Sequence, residues 1–228
     1  MEHTSGILSD QQILEYKDLG YVVIHPFYLD QLGNCSYDVT LGNYYYTRTN
    51  KLKYFNPWNP QHLNDYWNEA RQALLIEDQK DADLYGCQVG DKIIILGPDE
   101  TILAHTNEFI GGVDIVTTKM QARSSIGRCC IKVCSCAGQG DIGYTNRWTM
   151  EINNSSNTNL VLIVGQKMAQ IVFETTGKCN SSYEAHGSYQ HVLARDLNSM
   201  IQSWKPEMML PKLTFIKSRE YQAEQNCH

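Results

Sequence analysis

The stretch 121–153, QARSSIGRCCIKVCSCAGQGDIGYTNRWTMEIN, decides how this chain is read. Its opening, Gln121-Ala122-Arg123-Ser124-Ser125, sets two hydroxyls and a run of backbone N–H groups beside a cation, the combination a polyphosphate needs. Next, Ala137-Gly138-Gln139-Gly140-Asp141-Ile142-Gly143-Tyr144 frames a pocket. Small residues there let a ligand approach the backbone, and an acid and an aromatic close it. Glu151 then falls within Trp148-Thr149-Met150-Glu151-Ile152, where strand alternation can bury a carboxylate among apolar neighbours and raise its pKa for proton transfer. Phosphate turn, pocket and acid in that order point to a nucleotide enzyme.

Outward from this stretch, strand-like runs at 93–96, 101–105, 112–117, 130–136, 147–152, 160–164 and 168–173 are separated by turn signals such as Gly97-Pro98-Asp99 and Asn153-Asn154-Ser155. Many short strands without alternating helices predict a mainly β fold, an antiparallel barrel or jelly roll with a few short helices. On the N-terminal side Ser9 can cap a helix, with Gln12 reaching back and Ile13, Leu14 and Tyr16 giving an apolar face up to Gly20. YVVIH at 21–25 reads as a strand stopped by Pro26, and 39–46 as another. The pattern changes over 43–91, read as an insertion, with a helix expected at 61–75 carrying Leu63, Tyr66, Trp67, Ala70 and Leu74. Its aromatics, Tyr54, Phe55, Trp58, Tyr66 and Trp67, are expected to cover the barrel's own surface or extend an interface. A helix is expected at 197–204. One domain thus spans 1–195, followed by an extension, 196–228, expected to be partly mobile.

At 228 residues the chain is long enough for one domain with a proper core and short for two. Its net charge of −6 argues against general nucleic-acid binding, which needs a basic face, but not against a small triphosphate. Arg123, Arg128 and Lys132 supply local cations. No apolar run approaches the roughly 18 residues of a membrane span, and the start MEHTSGILSD carries no basic-then-apolar signal, so a cytoplasmic location is expected. The eight cysteines are expected to be free thiols, because the chain is neither small nor secreted. Zinc-dependent cytidine deamination needs H-x-E with P-C-x-x-C, and no C-x-x-C occurs here. Cys129, Cys130, Cys134 and Cys136 cluster, but on one strand face Cys130, Cys134 and Cys136 are too spread for one tetrahedral site, so they are read as small core thiols.

RSSIGR, AGQGDIGY and WTMEINN together resemble the dCTP deaminase branch of the trimeric dUTPase superfamily. Two flanks agree: Ile7-Leu8-Ser9-Asp10 with Ser36-Tyr37-Asp38-Val39-Thr40-Leu41-Gly42, and Met168-Ala169-Gln170-Ile171-Val172-Phe173. The likeness covers 7–42 and 92–192 and is absent from 43–91 and beyond about 195. It implies a homotrimeric dUTPase-like barrel with sites between subunits, taking dCTP and dUTP with Mg²⁺ carried mainly by the triphosphate and no zinc. It also brings in dTTP as a candidate regulator. Under the resemblance Glu151 is the acid–base group, Ser124 and Arg128 line the active site, with the arginine serving a neighbour's nucleotide, and Ala137 borders the base. Asp141 holds the 3′-hydroxyl and Tyr144 packs on the sugar. Arg123 and Ser125 belong to the phosphate turn, Gly138 leaves space beside the phosphates, and Gln170 donates to a phosphate.

A further match, Tyr183-Glu184-Ala185-His186-Gly187-Ser188-Tyr189-Gln190, resembles the family's C-terminal lid and makes Tyr189 and Gln190 substrate-binding candidates. Ser188 stands where lysine is expected, so a phosphate cation is missing there, with His186 or His191 as possible support. Ile142 replaces the usual proline and Asn146 the usual glycine. The reading adopted is hydrolytic deamination of dCTP to dUTP and ammonia. The alternatives are a bifunctional enzyme giving dUMP and diphosphate, for which Gly138 after Ala137 is the one clue, and a non-catalytic trimeric nucleotide sensor.

Overall fold

The computed structural model describes residues 6–49, 51–190 and 192–213, apart from the side chain of His186. In chain order the elements begin with β1 (Gly6–Ile7), α1 (Asp10–Asp18), β2 (Val22–His25), β3 (Tyr37–Thr47), α2 (Pro60–Tyr66), β4 (Arg71–Gln72), β5 (Leu74–Leu75) and α3 (Gln79–Tyr85). The middle of the chain forms β6 (Lys92–Leu96), β7 (Thr101–Gly112), β8 (Val116–Ala122), α4 (Ser124–Arg128), β9 (Ile131–Lys132) and β10 (Gln139–Gly140). Then come β11 (Thr145–Asn154), β12 (Leu160–Ile163), β13 (Lys167–Thr175), α5 (Tyr183–His186) and α6 (Leu197–Ser203).

The fold is mainly β, as the strand pattern predicts. A curled antiparallel sheet runs β10-β8-β13-β3-β7-β11-β9, with β1 added to β13, β2 to β7 and β4 to β3. A second sheet, β12-β6-β5, is short. The long strand β7 is central, pairing with β2, β3 and β11, and is buried along nearly its whole length. Tyr37, Leu41, Ile102, Ile110, Met150 and Phe173 are among the fully enclosed side chains of the main core.

Helix α1 starts where its cap chemistry says it should. Ser9 Oγ accepts from the Gln12 N–H at 3.3 Å, and Gln12 Oε1 accepts from the Ser9 N–H at 3.0 Å. Ile13 and Tyr16 then enter the core.

Four expectations from sequence are corrected. The helix expected at 61–75 ends at Tyr66, because the Tyr66 carbonyl accepts from Thr49 N–H (2.8 Å) and Leu74 pairs in register with Ile93. Residues 43–47, where the pattern reads as already changed, complete β3. Gly112 closes β7 instead of opening a strand. A Cβ there would run into the Val116 carbonyl, so glycine permits the tight return into β8. The strand expected at 130–136 shrinks to Ile131–Lys132, because Cys130 adopts a left-handed backbone (φ 61) and Val133 leaves the sheet for the core. Cys130, Cys134 and Cys136 therefore share no strand face.

Residues 196–213 fold back on the barrel. Trp204 lies 4.6 Å from the His105 ring and 4.8 Å from the Arg147 guanidinium. Met209 is buried against Tyr46 and Leu103. The expectation of a mobile end concerns, beyond 213, residues outside the described range.

Candidate active site

Strand β11 decides which way the acid points. Trp148, Met150 and Ile152 are buried in the core, while Arg147, Thr149 and Glu151 alternate onto the other face. A register shift against β7 between Arg147 and Thr149 marks a bulge there, the kind of irregularity that re-aims side chains. Glu151 thus lies opposite its apolar neighbours and lines a cavity of about 350 Å³ with Ala137, Asp141, Tyr144, Thr149 and Tyr189. Burial raises the Glu151 carboxyl above its ordinary 4.5, and the Ser135 N–H, donating to Oε2 at 3.3 Å, holds it back in part. A half-buried carboxyl raised by burial is suited to both accepting and giving a proton.

The glycine frame works by close approach. Gly138 lies between Ala137 and the β10 residue Gln139, and its carbonyl accepts from Met120 N–H at 2.8 Å. A Cβ at Gly138 would meet the Met120 carbonyl oxygen at 2.6 Å. This glycine is demanded by backbone packing, which a side chain of any size would disturb, and it does not itself line the cavity. A Cβ at Gly140 would fall on the Trp148 ring. Asp141 opens a turn in which Tyr144 N–H donates to its carbonyl (2.9 Å) and Gly143 is left-handed (φ 90). Tyr144 then meets Trp148 and Tyr183 edge-on at 5.4 and 5.1 Å, and burial pushes its hydroxyl well above the usual tyrosine value.

The predicted phosphate residues form a second group. Ser124, Ser125 and Arg128 are exposed on α4 and none lines the cavity. Arg123 is the residue before the helix, and its Nε sits 3.2 Å from Asp38 Oδ1, so it braces this corner. Lys167 Nζ shares Asp38 at 3.5 Å. Gln170 pairs in register with Asp38 on β3 and Gln121 on β8, at the same corner and away from Glu151. Within one chain the residues expected to bind phosphate therefore do not line the Glu151 cavity.

The segment 183–190, expected to act as a lid, is fastened beside the Glu151 cavity. Gln190 is buried, accepting from Thr145 N–H (2.7 Å) and donating to the carbonyls of Gly143 (2.9 Å) and Val192 (3.0 Å). Its amide is consumed by these bonds, so it positions the lid and does not face the cavity. Asn146, the residue that departs from the family's glycine, donates to the Tyr189 carbonyl at 3.0 Å. Ile142 likewise ties in, its carbonyl accepting from Tyr183 N–H at 2.8 Å. The lid support expected from His186 and His191 lies outside what is described. Cavity residues outside the two central motifs went unrecognised in the sequence: Trp67 from the insertion, Leu103 from β7, Tyr183, and Met209 and Pro211 from the extension. Only Tyr183 carried a local signal, in the lid motif.

The seven described cysteines are free, and Cys134 is raised in pKa by burial and by Glu151. Among the described residues no three His, Cys, Asp or Glu side chains gather as a metal-ligating group, and no helix is long and apolar enough to cross a membrane.

Comparison with known proteins bears on the family and the fold. A family model described as dCTP deaminase-like matches residues 7–176. A relative from Methanosphaera stadtmanae named "dCTP deaminase, dUMP-forming" is 32% identical over 172 residues, 75% of this chain and 79% of that protein. A "dCTP deaminase" from Thermomicrobium roseum is 30% identical over 171 residues, 74% of this chain and 79% of the relative. The solved structure of 2′-deoxycytidine 5′-triphosphate deaminase from Agrobacterium tumefaciens superposes with a TM-score of 0.53 at 18% identity. It covers 76% of this chain, which spans about half, 49%, of that longer one.

Proposed function

This chain belongs to the dCTP deaminase-like family, and from that premise we propose that it deaminates dCTP and goes on to dUMP, releasing ammonia and diphosphate. The observation that carries the reading is the convergence of Glu151, Asp141, Tyr144 and Ala137 on one cavity. In the first step water adds at C4 of the cytosine. Glu151 takes the water's proton, passes it to N3, and helps protonate the departing amine, so one C–O bond forms, the C–N bond breaks and ammonia leaves. A carboxyl raised by burial suits a group that must both accept and give a proton. Tyr144, packed by Trp148 and Tyr183, offers a fixed surface to the deoxyribose.

The second step spends another water on the α-phosphorus of dUTP and expels diphosphate, with Asp141 orienting that water. Support for it comes from the relative in Methanosphaera stadtmanae, which is named dUMP-forming. The structure removes one argument for it: Gly138 serves backbone packing, so its smallness says nothing about room for water.

That Ser124 and Arg128 do not line the Glu151 cavity of their own chain supports a homotrimer in which those of one copy face the cavity of the next. Mg²⁺ enters on the triphosphate, needing few protein ligands because phosphate oxygens and water fill its octahedral shell. The test is incubation of the protein with dCTP and Mg²⁺, resolving dUTP from dUMP and measuring ammonia and diphosphate. Equal ammonia and diphosphate support the proposal. Ammonia with dUTP alone rejects the second step, and neither product rejects both.

A further inference from the structure

We infer that Met209 is a positioning residue for Glu151: the C-terminal strap, residues 204–211, lays it along the cavity, where Met209, Trp67 and Leu103 form an apolar wall that keeps bulk water from the carboxyl. The inference rests on the proposed deamination and adds the part of the chain that shields its acid. On β11, Arg147, Thr149 and Glu151 share the face turned away from the core. On β7, Leu103 pairs in register with Glu151 and His105 with Thr149. These side chains therefore stand next to one another across the two strands.

The strap follows this face from one pair to the next. It is anchored at its start by Trp204, against His105 and the Arg147 guanidinium. Further on, Met209 is buried against Leu103 and against Tyr46 of β3, the register partner of Leu103 on that side. Trp67 packs on the same cluster from the insertion. Trp67, Leu103 and Met209 all line the cavity that holds Glu151, and Pro211 is the strap's other lining residue, so the strap brings no charge to it. Among the described residues, the titratable groups around Glu151 are Asp141, Tyr144, Tyr183 and Tyr189 in the cavity lining and Cys134 beside the Ser135 N–H. None is a cation, so the charge on Glu151 depends chiefly on how much water reaches it. An apolar thioether side chain at this point stands where water would otherwise solvate the carboxylate, and burial is the effect that raises Glu151. Excluding water there also leaves the carboxyl to the one water that reacts.

The experiment compares wild type with Met209→Gln, which keeps the length of the side chain but ends it in a polar group, and with Met209→Leu, which keeps it apolar. Trp204→Ala is the second variant: it frees the strap at an anchor outside the cavity lining, and it carries the test if Met209→Gln does not fold. Two readings are taken on each full-length protein. One is the pH dependence of kcat and KM for ammonia release from dCTP. The other is the titration of the Glu151 carboxyl by carbon-13 NMR, its signal identified by its loss in Glu151→Gln. Admitting water stabilises the carboxylate, so Met209→Gln and Trp204→Ala are expected to move the titration and the acid limb down in pH. The ratio of kcat/KM at pH 5 to that at pH 8 then rises about threefold, the equivalent of half a pH unit. At pH 8 kcat falls with KM little changed, because a less basic carboxylate is a poorer proton acceptor. Met209→Leu keeps the wild-type profile. A folded Met209→Gln, or failing that Trp204→Ala, with the wild-type titration and limb overturns the inference. So does Met209→Leu that shifts as far as Met209→Gln, since Met209 would then only hold the strap in shape. Wild type whose Glu151 titration depends on the strap yet which releases no ammonia refutes the proposed reaction and leaves the wall standing. No ammonia, with a titration indifferent to the strap, overturns both.

Discussion

Acidification should loosen this protein through one buried histidine. His105 is enclosed in the centre of β7. Its Nδ1–H donates to the Thr106 carbonyl at 2.8 Å, and its Nε2 accepts from the Tyr44 N–H at 3.2 Å. Both ring nitrogens are matched in the neutral form, so protonation would set two N–H groups against each other at Tyr44. Burial drives the ring from its ordinary 6.5 down to about 4, with the Arg147 cation adding to the fall. A lowered folded-state value means the unfolded chain binds the proton more readily. Stability is full above pH 6.5 and is lost as pH falls through that value towards 4. At about 1.4 kcal/mol per pH unit, the loss attributable to His105 by pH 4 is ~3 kcal/mol. The assay is urea unfolding of wild type and His105→Gln at pH 7, 5.5 and 4, taking the difference between the two proteins at each pH so that the carboxylates they share cancel. Gln costs stability at pH 7, but the gap should close by ~3 kcal/mol at pH 4. Parallel pH profiles would refute the reasoning. Trp204 packs on His105, so the strap should open first, and its fluorescence should change before global unfolding.

Other outcomes follow from the same geometry. Gly138→Ala should cost roughly 1–3 kcal/mol in thermal or urea unfolding, since its Cβ meets the Met120 carbonyl at 2.6 Å, and should lower ammonia and diphosphate release together. A selective loss of diphosphate would instead return Gly138 to a role in the second step. Mixing Glu151→Gln with Arg128→Ala protein should recover activity in mixed oligomers, because one intact Glu151 and one intact Arg128 can then meet at a shared site. No recovery after verified subunit exchange would mean that each site is built from a single chain. The acid limb of kcat/KM should lie above pH 4.5, the ordinary glutamate value, since burial raises Glu151 and its deprotonated form must take the water's proton. A limb at or below 4.5 would assign the limb to another group.

What the sequence made legible was local. Ser9 and Gln12 announce a cap that forms as written, and 147–152 alternates in the strand it predicts, with Glu151 set against Met150 and Ile152. Ala137, Asp141, Tyr144 and Glu151 line one cavity, although β10 pairs with β8 and β11 with β7 and β9. What stayed hidden depends on distant partners. Gly112, read as opening a strand, ends a buried one, because its reason lies at the Val116 carbonyl. The helix over 61–75 fails because Thr49 takes the carbonyl of Tyr66, a bond no periodicity displays. Trp67 lies in the stretch read as an insertion, Met209 and Pro211 lie beyond the matched residues 7–176, and all three reach the cavity only through tertiary folding. Ser124, Ser125 and Arg128, expected to bind phosphate, lie close to Glu151 in sequence, yet none of them lines its cavity.

The central claim is that Glu151 moves the protons of deamination. The direct measurement is single-turnover ammonia release from dCTP by Glu151→Gln, with dCTP binding determined on the same preparation. Gln keeps the shape and the bond from the Ser135 N–H, so binding should stay within a few-fold while the rate falls by roughly a hundredfold or more, as removal of a general acid–base group does. A loss under about tenfold, with binding intact, would contradict the account.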